Sequence, residues 1–329
     1  MSTTKDTDNN FHQNAPRIDW NLKNSKTLFS LQSDSYDEFR QQQPEEIILE
    51  LVEALGLEKG SRIADIGAGP AREAEILAYK LGYKVIAVEP ADGMRKSALR
   101  RIAKNKNIWA EPLNIIDGKS DDTHLPDNSI DLVLMGNSSH WFISNLDKTT
   151  QEFARILKNP GNVALFYTLY DQESELITSL HNVLSQHCSG YSTSRSQVIR
   201  SREIKPRSFA SHYIEDSKIR EAQKVIRAKE HNFYEFCKLL STHSFFPKRD
   251  VEVLKFIENQ QAPELITRSS IIAKSEENSL LVALNQLFDQ YAEKEKLTIS
   301  WQTTLHYGQL KEYQLLKENI IFPKSVALA

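Results

Sequence analysis

The chain has 329 residues, with 41 Lys and Arg against 44 Asp and Glu, a formal net charge of −3 and 40% hydrophobic residues. That is the composition of a globular protein long enough for one elaborated domain or for two, and the near-neutral balance argues against bulk nucleic-acid binding, which leans on phosphate neutralisation. No apolar run approaches the roughly 18–20 residues of a membrane helix, the first 30 residues hold no apolar secretory segment, and Cys188 and Cys237 suggest neither a disulfide framework nor a zinc site, so a cytoplasmic protein without membrane partners is expected.

Residues 1–25 read as a polar tail, with Trp20 as a first anchor. From Gln43 a helix is predicted: Pro44 occupies a permitted first-turn position, Glu45 and Glu46 sit at the positive end, and Ile47, Ile48, Leu51, Val52 and Leu55 recur at helical spacing up to Gly56. Short apolar runs then alternate with helical stretches. Strands are predicted at Arg62–Ile66, Lys84–Val88, Ile108–Leu113, Ile130–Met135 and Asn162–Tyr167, and helices at Glu73–Lys80, Gly93–Ile102 and Thr149–Leu157. This alternation implies βαβ units and a mainly parallel, doubly wound sheet with helices on both faces. Beyond Gln172 helices are predicted over Glu173–His187, Ile214–Phe236 and Ser279–Glu293, and strands over Val251–Ile257 and Leu297–Leu305.

The most informative stretch runs from Arg62 through Asp65-Ile66-Gly67-Ala68-Gly69-Pro70-Ala71 to Arg72, a strand feeding a glycine loop that opens a helix. Glu89 closes the next strand 22 residues after Gly67, where an acid can accept both hydroxyls of a ribose. A dinucleotide fingerprint would place a third small residue where this chain has Arg72. An acid at Asp65, ahead of the glycines, suits a ligand with an ammonium group rather than phosphates. S-adenosyl-L-methionine has that make-up: adenine, ribose, no phosphate and an amino-acid tail.

These residues resemble the class I S-adenosylmethionine-dependent methyltransferases, and more narrowly the small-molecule branch that includes trans-aconitate methyltransferase. The resemblance implies a seven-stranded Rossmann-like sheet. It places the methionine part of the cofactor on Asp65, Gly67, Ala68 and Gly69, and its ribose on Glu89, followed by Pro90. Met94 matches a residue lying against the adenine, and Ser120-Asp121 the pair whose acid meets the adenine amino group, with Asp121 where the branch often has Glu. After the fourth strand comes Asn137-Ser138-Ser139-His140-Trp141-Phe142, whose His-Trp-Phe triplet characterises the branch; Asn137 joins the expected cofactor contacts. Arg155–Gly161 matches its helix-to-turn element, with Asn159-Pro160-Gly161 for the usual Pro-Gly-Gly. Phe29-Ser30, Tyr36, Phe39, Arg40 and Pro44 resemble its N-terminal element, with Phe39 replacing a tyrosine. The likeness spans about residues 28–310 and is strong over 62–167.

The expected organisation is therefore a tail at 1–25, a cofactor-binding core with an N-terminal lid helix at 26–171, and a helical lid insertion with sheet-completing strands at 172–329. Methyl transfer from a sulfonium is an in-line displacement for which the protein supplies orientation and a dry pocket. The expected acceptor is a small molecule with a carboxylate or hydroxyl oxygen, the product of the cofactor is S-adenosyl-L-homocysteine, and no metal is expected. His140 is the candidate base or positioning residue, with Tyr36, Arg40 and Trp141 as further acceptor contacts. The ten Arg and Lys residues between Ser194 and Lys229 are interspersed with acids and read as a solvated surface. A nicotinamide-dependent oxidoreductase and a cofactor-binding protein without turnover are the alternatives, and the expected oligomeric state is a monomer or weak homodimer.

Overall fold

The computed structural model describes residues 44–104, 113–171, 173–188, 191, 206–222, 224–243 and 245–311. Helix α1 (Glu45–Ala54) starts directly after Pro44 and buries Ile47, Ile48, Leu51 and Val52. Then follow β1 (Arg62–Ile66), α2 (Arg72–Glu75, continued by a wider turn over Ile76–Lys80), β2 (Lys84–Val88), α3 (Asp92–Lys104), β3 (Leu113–Ile116), β4 (Ile130–Gly136), α4 (Leu146–Ile156) and β5 (Leu157–Tyr170). Two of the predicted strands, Arg62–Ile66 and Lys84–Val88, have these same limits. The third is described over Leu113–Ile116, the residues that pair with Val85 to Val88, while residues 108–112 of the predicted Ile108–Leu113 lie outside the described residues.

The sheet order is β3-β2-β1-β4-β5-β8-β6. Strands β3, β2, β1, β4 and β5 are parallel neighbours, and β8 (Leu297–Gln309) runs antiparallel beside β5 from Asn162↔Gln309 to Tyr170↔Trp301. Beyond β8 lie β6 (Arg220–Glu221) and β7 (Val225–His231), both antiparallel to it. Pairing shifts by one residue between Glu221↔His306 and Val225↔Thr303, so the two behave as one edge strand broken by a bulge. Eight strands thus occupy the seven positions expected.

Two expectations for the C-terminal half are corrected. Ile214–Phe236 is not one helix: it holds β6, β7 and the start of α7 (Phe233–Ser241). Its charged, exposed sequence reads as a helix surface, but β7 is an edge strand, where charges are tolerated and deter further pairing. Val251–Ile257 is not a strand but part of α8 (Lys248–Glu258), which buries Asp250, Leu254 and Ile257, three residues of one helical face. The predicted helix at 279–293 and strand at 297–305 correspond to α10 (Leu280–Tyr291) and β8.

Three buried clusters organise the interior. One face of the sheet places Ile63, Val85, Leu132 and Phe166 against α1 and α2. The other places Ala64, Val88, Val133 and Tyr167 against Phe153 of α4 and Phe209 and Tyr213 of α6 (Pro206–Tyr213). The third is built from α5 (Glu175–His187), α7, α8, α9 (Arg268–Ile272) and α10, and meets the sheet at Tyr170, Leu297, Ile299 and Trp301. Tyr170 ends β5 and Leu297 begins the antiparallel β8, so this helical layer sits at the carboxyl end of the parallel strands. Among the described residues no helix is long and apolar enough to cross a membrane, and no group of His, Cys, Asp and Glu could hold a metal ion.

Candidate active site

The glycine loop leaves β1 through left-handed backbone at Gly67 (φ +70°), Gly69 (φ +56°) and Ala71 (φ +59°). The Gly67 and Ala68 N–H groups both donate to the carbonyl of Val88, at 2.8 and 3.3 Å, which ties the loop to the end of β2. The Glu89 side chain follows directly: Oε2 accepts from the Gly69 N–H at 2.9 Å and Oε1 from the Ala91 N–H at 2.8 Å. Two backbone donors fix the orientation of this buried carboxylate.

Asp65, near the carboxyl end of β1, is 1% exposed, and its Oδ2 has no hydrogen-bond partner among the described residues. Burial first, then the charges of Glu73 and Glu89, hold its carboxyl well above the usual carboxylate range, against a hydrogen bond from the Ala74 N–H. Glu73, the second residue of α2, reaches β4, where a Cβ built on Gly136 would lie 3.5 Å from its Cδ. Glu73 is a site residue that the sequence did not single out. Three acids thus surround the start of the glycine loop. They oppose a pyrophosphate and favour a cation, the electrostatics that an ammonium or sulfonium requires. Arg72, where a dinucleotide loop would have a small residue, is buried.

Met94 is buried on α3. Gly118 opens the loop carrying Ser120 and Asp121, and a Cβ there would come within 2.7 Å of Val88 Cγ1, so only glycine lets this loop pass so close to β2. Ser120 is buried with its hydroxyl 3.0 Å from that of Thr149, and Asp121 Oδ2 accepts from Asn145 Nδ2 at 3.1 Å. The loop is pinned to α4 by Glu152, whose Oε1 accepts from the N–H and the hydroxyl of Thr123, at 2.9 and 2.5 Å. Burial pushes Glu152 up, but hydrogen bonds from Arg155 and Thr123 outweigh it and its pKa is lowered. Its stabilisation is therefore present above the ordinary value of 4.5 and lost as pH falls through the folded value. Glu152→Ala is expected to cost about 2–3 kcal/mol at pH 7, since it strands two donors and a guanidinium. Urea denaturation at pH 7 and at pH 4 checks this, and a penalty undiminished at the lower pH would refute it.

His140 and Trp141 lie on a short turn (Ser139–Trp141) after β4, with their rings 5.2 Å apart and both half-buried. Asn137 has a positive φ of 51° and its side-chain oxygen accepts from the Thr168 N–H at 2.8 Å. Ser138 packs on the glycine loop, for a Cβ on Gly67 would lie 2.7 Å from its own. The structure thus brings the Asp65–Glu89 cradle and the His140 turn together. Tyr36 and Arg40, with the rest of the N-terminal element, lie outside the described residues, as do Arg195, Arg200, Arg202 and Lys205.

Residues 64–165, from β1 into β5, match the family model described as a methyltransferase domain. This segment is an S-adenosylmethionine-dependent methyltransferase domain. No curated protein sequence matches the chain. Among solved structures, a protein described as a type II methyltransferase from Anaeromyxobacter dehalogenans is 17% identical, covers 82% of this chain and 98% of its own, and has a TM-score of 0.51. That likeness shows the Rossmann-like methyltransferase fold. YcgJ of Bacillus subtilis is also 17% identical, over 80% of this chain and 97% of its own, with a TM-score of 0.46. The phosphoethanolamine N-methyltransferase 2 of Haemonchus contortus, solved with S-adenosylhomocysteine, is 16% identical over 84% and 57%, with a TM-score of 0.43. A methyltransferase domain sets the oxidoreductase alternative aside, in keeping with the three carboxylates around its glycine loop.

Proposed function

We propose that this methyltransferase acts on a small molecule and methylates a carboxylate or hydroxyl oxygen, as in the branch that includes trans-aconitate methyltransferase. The observation that carries this reading is the contact between the two halves of the site. Ser138 rests on Gly67, so His140 and Trp141 stand next to the loop that cradles the methionine end of the cofactor.

Asp65, Gly67, Ala68 and Gly69 hold that methionine end, the orphaned Oδ2 of Asp65 facing the ammonium. The Glu89 carboxylate takes the ribose hydroxyls, with Pro90 beside them. Met94, Ser120 and Asp121 flank the adenine, and Asn137 closes the site from the end of β4. Bound S-adenosylmethionine supplies an already activated methyl group, so the protein contributes orientation and exclusion of water. The imidazole of His140 takes the proton of a hydroxyl acceptor, or donates a hydrogen bond that orients a carboxylate, which needs no base near pH 7. Trp141 walls the pocket, and the resemblance assigns Tyr36 and Arg40 to acceptor binding, an Arg being suited to a carboxylate by its planar fork. The helical layer at the carboxyl end of the sheet acts as the lid, and the near-neutral surface fits a monomer or weak homodimer working on a small acceptor rather than on nucleic acid.

Two measurements test this. Calorimetry should show Glu89→Ala binding S-adenosylhomocysteine about 10–100-fold more weakly than the native chain, the loss of two charge-assisted hydrogen bonds; unchanged affinity refutes the ribose assignment. Incubation with methyl-labelled S-adenosylmethionine and a metabolite extract should place label in a small molecule. Release of labelled methanol by mild base identifies a methyl ester; base-stable label is assigned by mass spectrometry, an ether supporting the reading and an N- or C-methyl product overturning it. Cofactor binding with no transfer to any small molecule would overturn the acceptor reading.

A further inference from the structure

The three residues that precede His140 are each tied down by their own side chain. The Asn137 N–H donates to the Phe166 carbonyl at 2.9 Å while its side-chain oxygen accepts from Thr168. Ser138 Oγ donates to the Ile66 carbonyl at 2.7 Å. Ser139 Oγ bonds the phenol oxygen of Tyr167. The turn then closes through Trp141 N–H to Ser138 O at 2.9 Å and Phe142 N–H to Ser139 O at 3.0 Å. His140 is therefore carried on a backbone referenced to β1 through Ser138 and to β5 through Asn137 and Ser139.

The Ser139–Tyr167 pair asks for more than a packing account. Ser139 is 2% exposed and Tyr167 1%, and the Tyr167 ring already packs on Phe209, centroids 5.3 Å apart. Phenylalanine and alanine would fill these places as well. Burying two hydroxyls costs free energy that only their mutual bond offsets, and what such a bond adds over apolar contact is direction. Burial holds the phenol far above its ordinary range, so Tyr167 keeps its proton and acts as a hydrogen-bonding group, not as a base.

We propose that Ser139 and Tyr167 are positioning residues, a buried hydroxyl pair that fixes where His140 stands beside the glycine loop. The proposal rests on the reading of His140 as an acceptor-side residue, and its first test needs no acceptor. In protein labelled at histidine, the ring resonance of His140 is identified by its loss in His140→Gln. It is expected to move in Tyr167→Phe and in Ser139→Ala, in the same direction in both, with the other histidines unmoved. Calorimetry should give both variants an affinity for S-adenosylhomocysteine within about threefold of the native chain, because the Glu89 cradle is untouched. With a labelled acceptor from the extract, kcat should fall about tenfold at similar KM, the effect of a small misplacement of a reacting group. In the His140→Gln background Tyr167→Phe should add less than a twofold loss. An unmoved His140 resonance in the folded variants, or a Tyr167→Phe loss of the same size with and without His140, overturns the proposal. Full turnover by His140→Gln would instead overturn the acceptor-side reading, leaving the resonance to judge the positioning.

Discussion

Gly67→Ala is expected to abolish measurable binding of S-adenosylmethionine and to destabilise the chain by about 2–5 kcal/mol. The two costs are separate and both local. At φ +70° an L side chain pays about 1–2 kcal/mol in the left-handed region. The new methyl would also lie 2.7 Å from Ser138 Cβ, 3.2 Å from Ser138 Oγ and 3.3 Å from Phe142 Cζ, an overpacking worth about 1–3 kcal/mol. Neither neighbour yields cheaply: Ser138 is held by its bond to Ile66, and Phe142 is buried. The backbone of the loop must move instead, and with it the Gly69 N–H that orients Glu89. Gly69→Ala is the control, since its φ is also positive but nothing lies within 4 Å of the added methyl, so it should carry the dihedral cost alone. Thermal melts and calorimetry with S-adenosylhomocysteine compare the pair, and a Gly67→Ala chain no less stable than Gly69→Ala would refute the account.

Asp65→Asn is expected to make the protein more stable and a poorer binder. The native carboxylate is buried beside Glu73 and Glu89, and its pKa is raised. The folded state thus holds the Asp65 proton more tightly than the unfolded chain, so stability from this group is full below the ordinary value of 3.8 and is lost as pH rises through the folded value. Asparagine keeps an oxygen for the Ala74 N–H and removes the charge. At pH 7 its Tm should rise, by about 2–4 °C for each kcal/mol relieved, and the loss of stability on raising pH should shrink. Affinity for S-adenosylmethionine should fall at least tenfold, because the cation loses the nearest charge meant to meet it. A variant that melts lower than the native chain at pH 7, or one that binds as tightly, would contradict the assignment. Strain of this kind at a binding site is a general reason why stability and function trade against each other.

Much of the cofactor half was legible in the sequence because its determinants are local. A strand, two glycines and a helix start follow each other within eleven residues, and Glu89 is fixed by the length of one strand-helix-strand unit. The proposed acceptor half was legible only as a turn. Asn137, expected at the cofactor, also has its side-chain oxygen on Thr168, and Ser120 meets Thr149, contacts that spacing along the chain does not reveal. Glu73 escaped notice as an ordinary helix residue. Tyr167 escaped as one more apolar position in β5, since its partner Ser139 is 28 residues earlier.

The sequence by itself determined the doubly wound sheet, its glycine loop and the acids at the ends of β1 and β2, since short-range periodicity and backbone conformation dictate these. Only the tertiary structure decided the edge of that sheet and the fixing of the active site. Residues 226–230 are exposed and rich in charge, and Val225–His231 becomes a strand only because β8, some seventy residues later, offers a ladder for its backbone. Val251–Ile257 is too short for its period to choose between strand and helix, and the choice falls to the core that receives Leu254 and Ile257. The His140 turn, likewise, takes its place from bonds to β1 and β5, which the chain brings together only on folding.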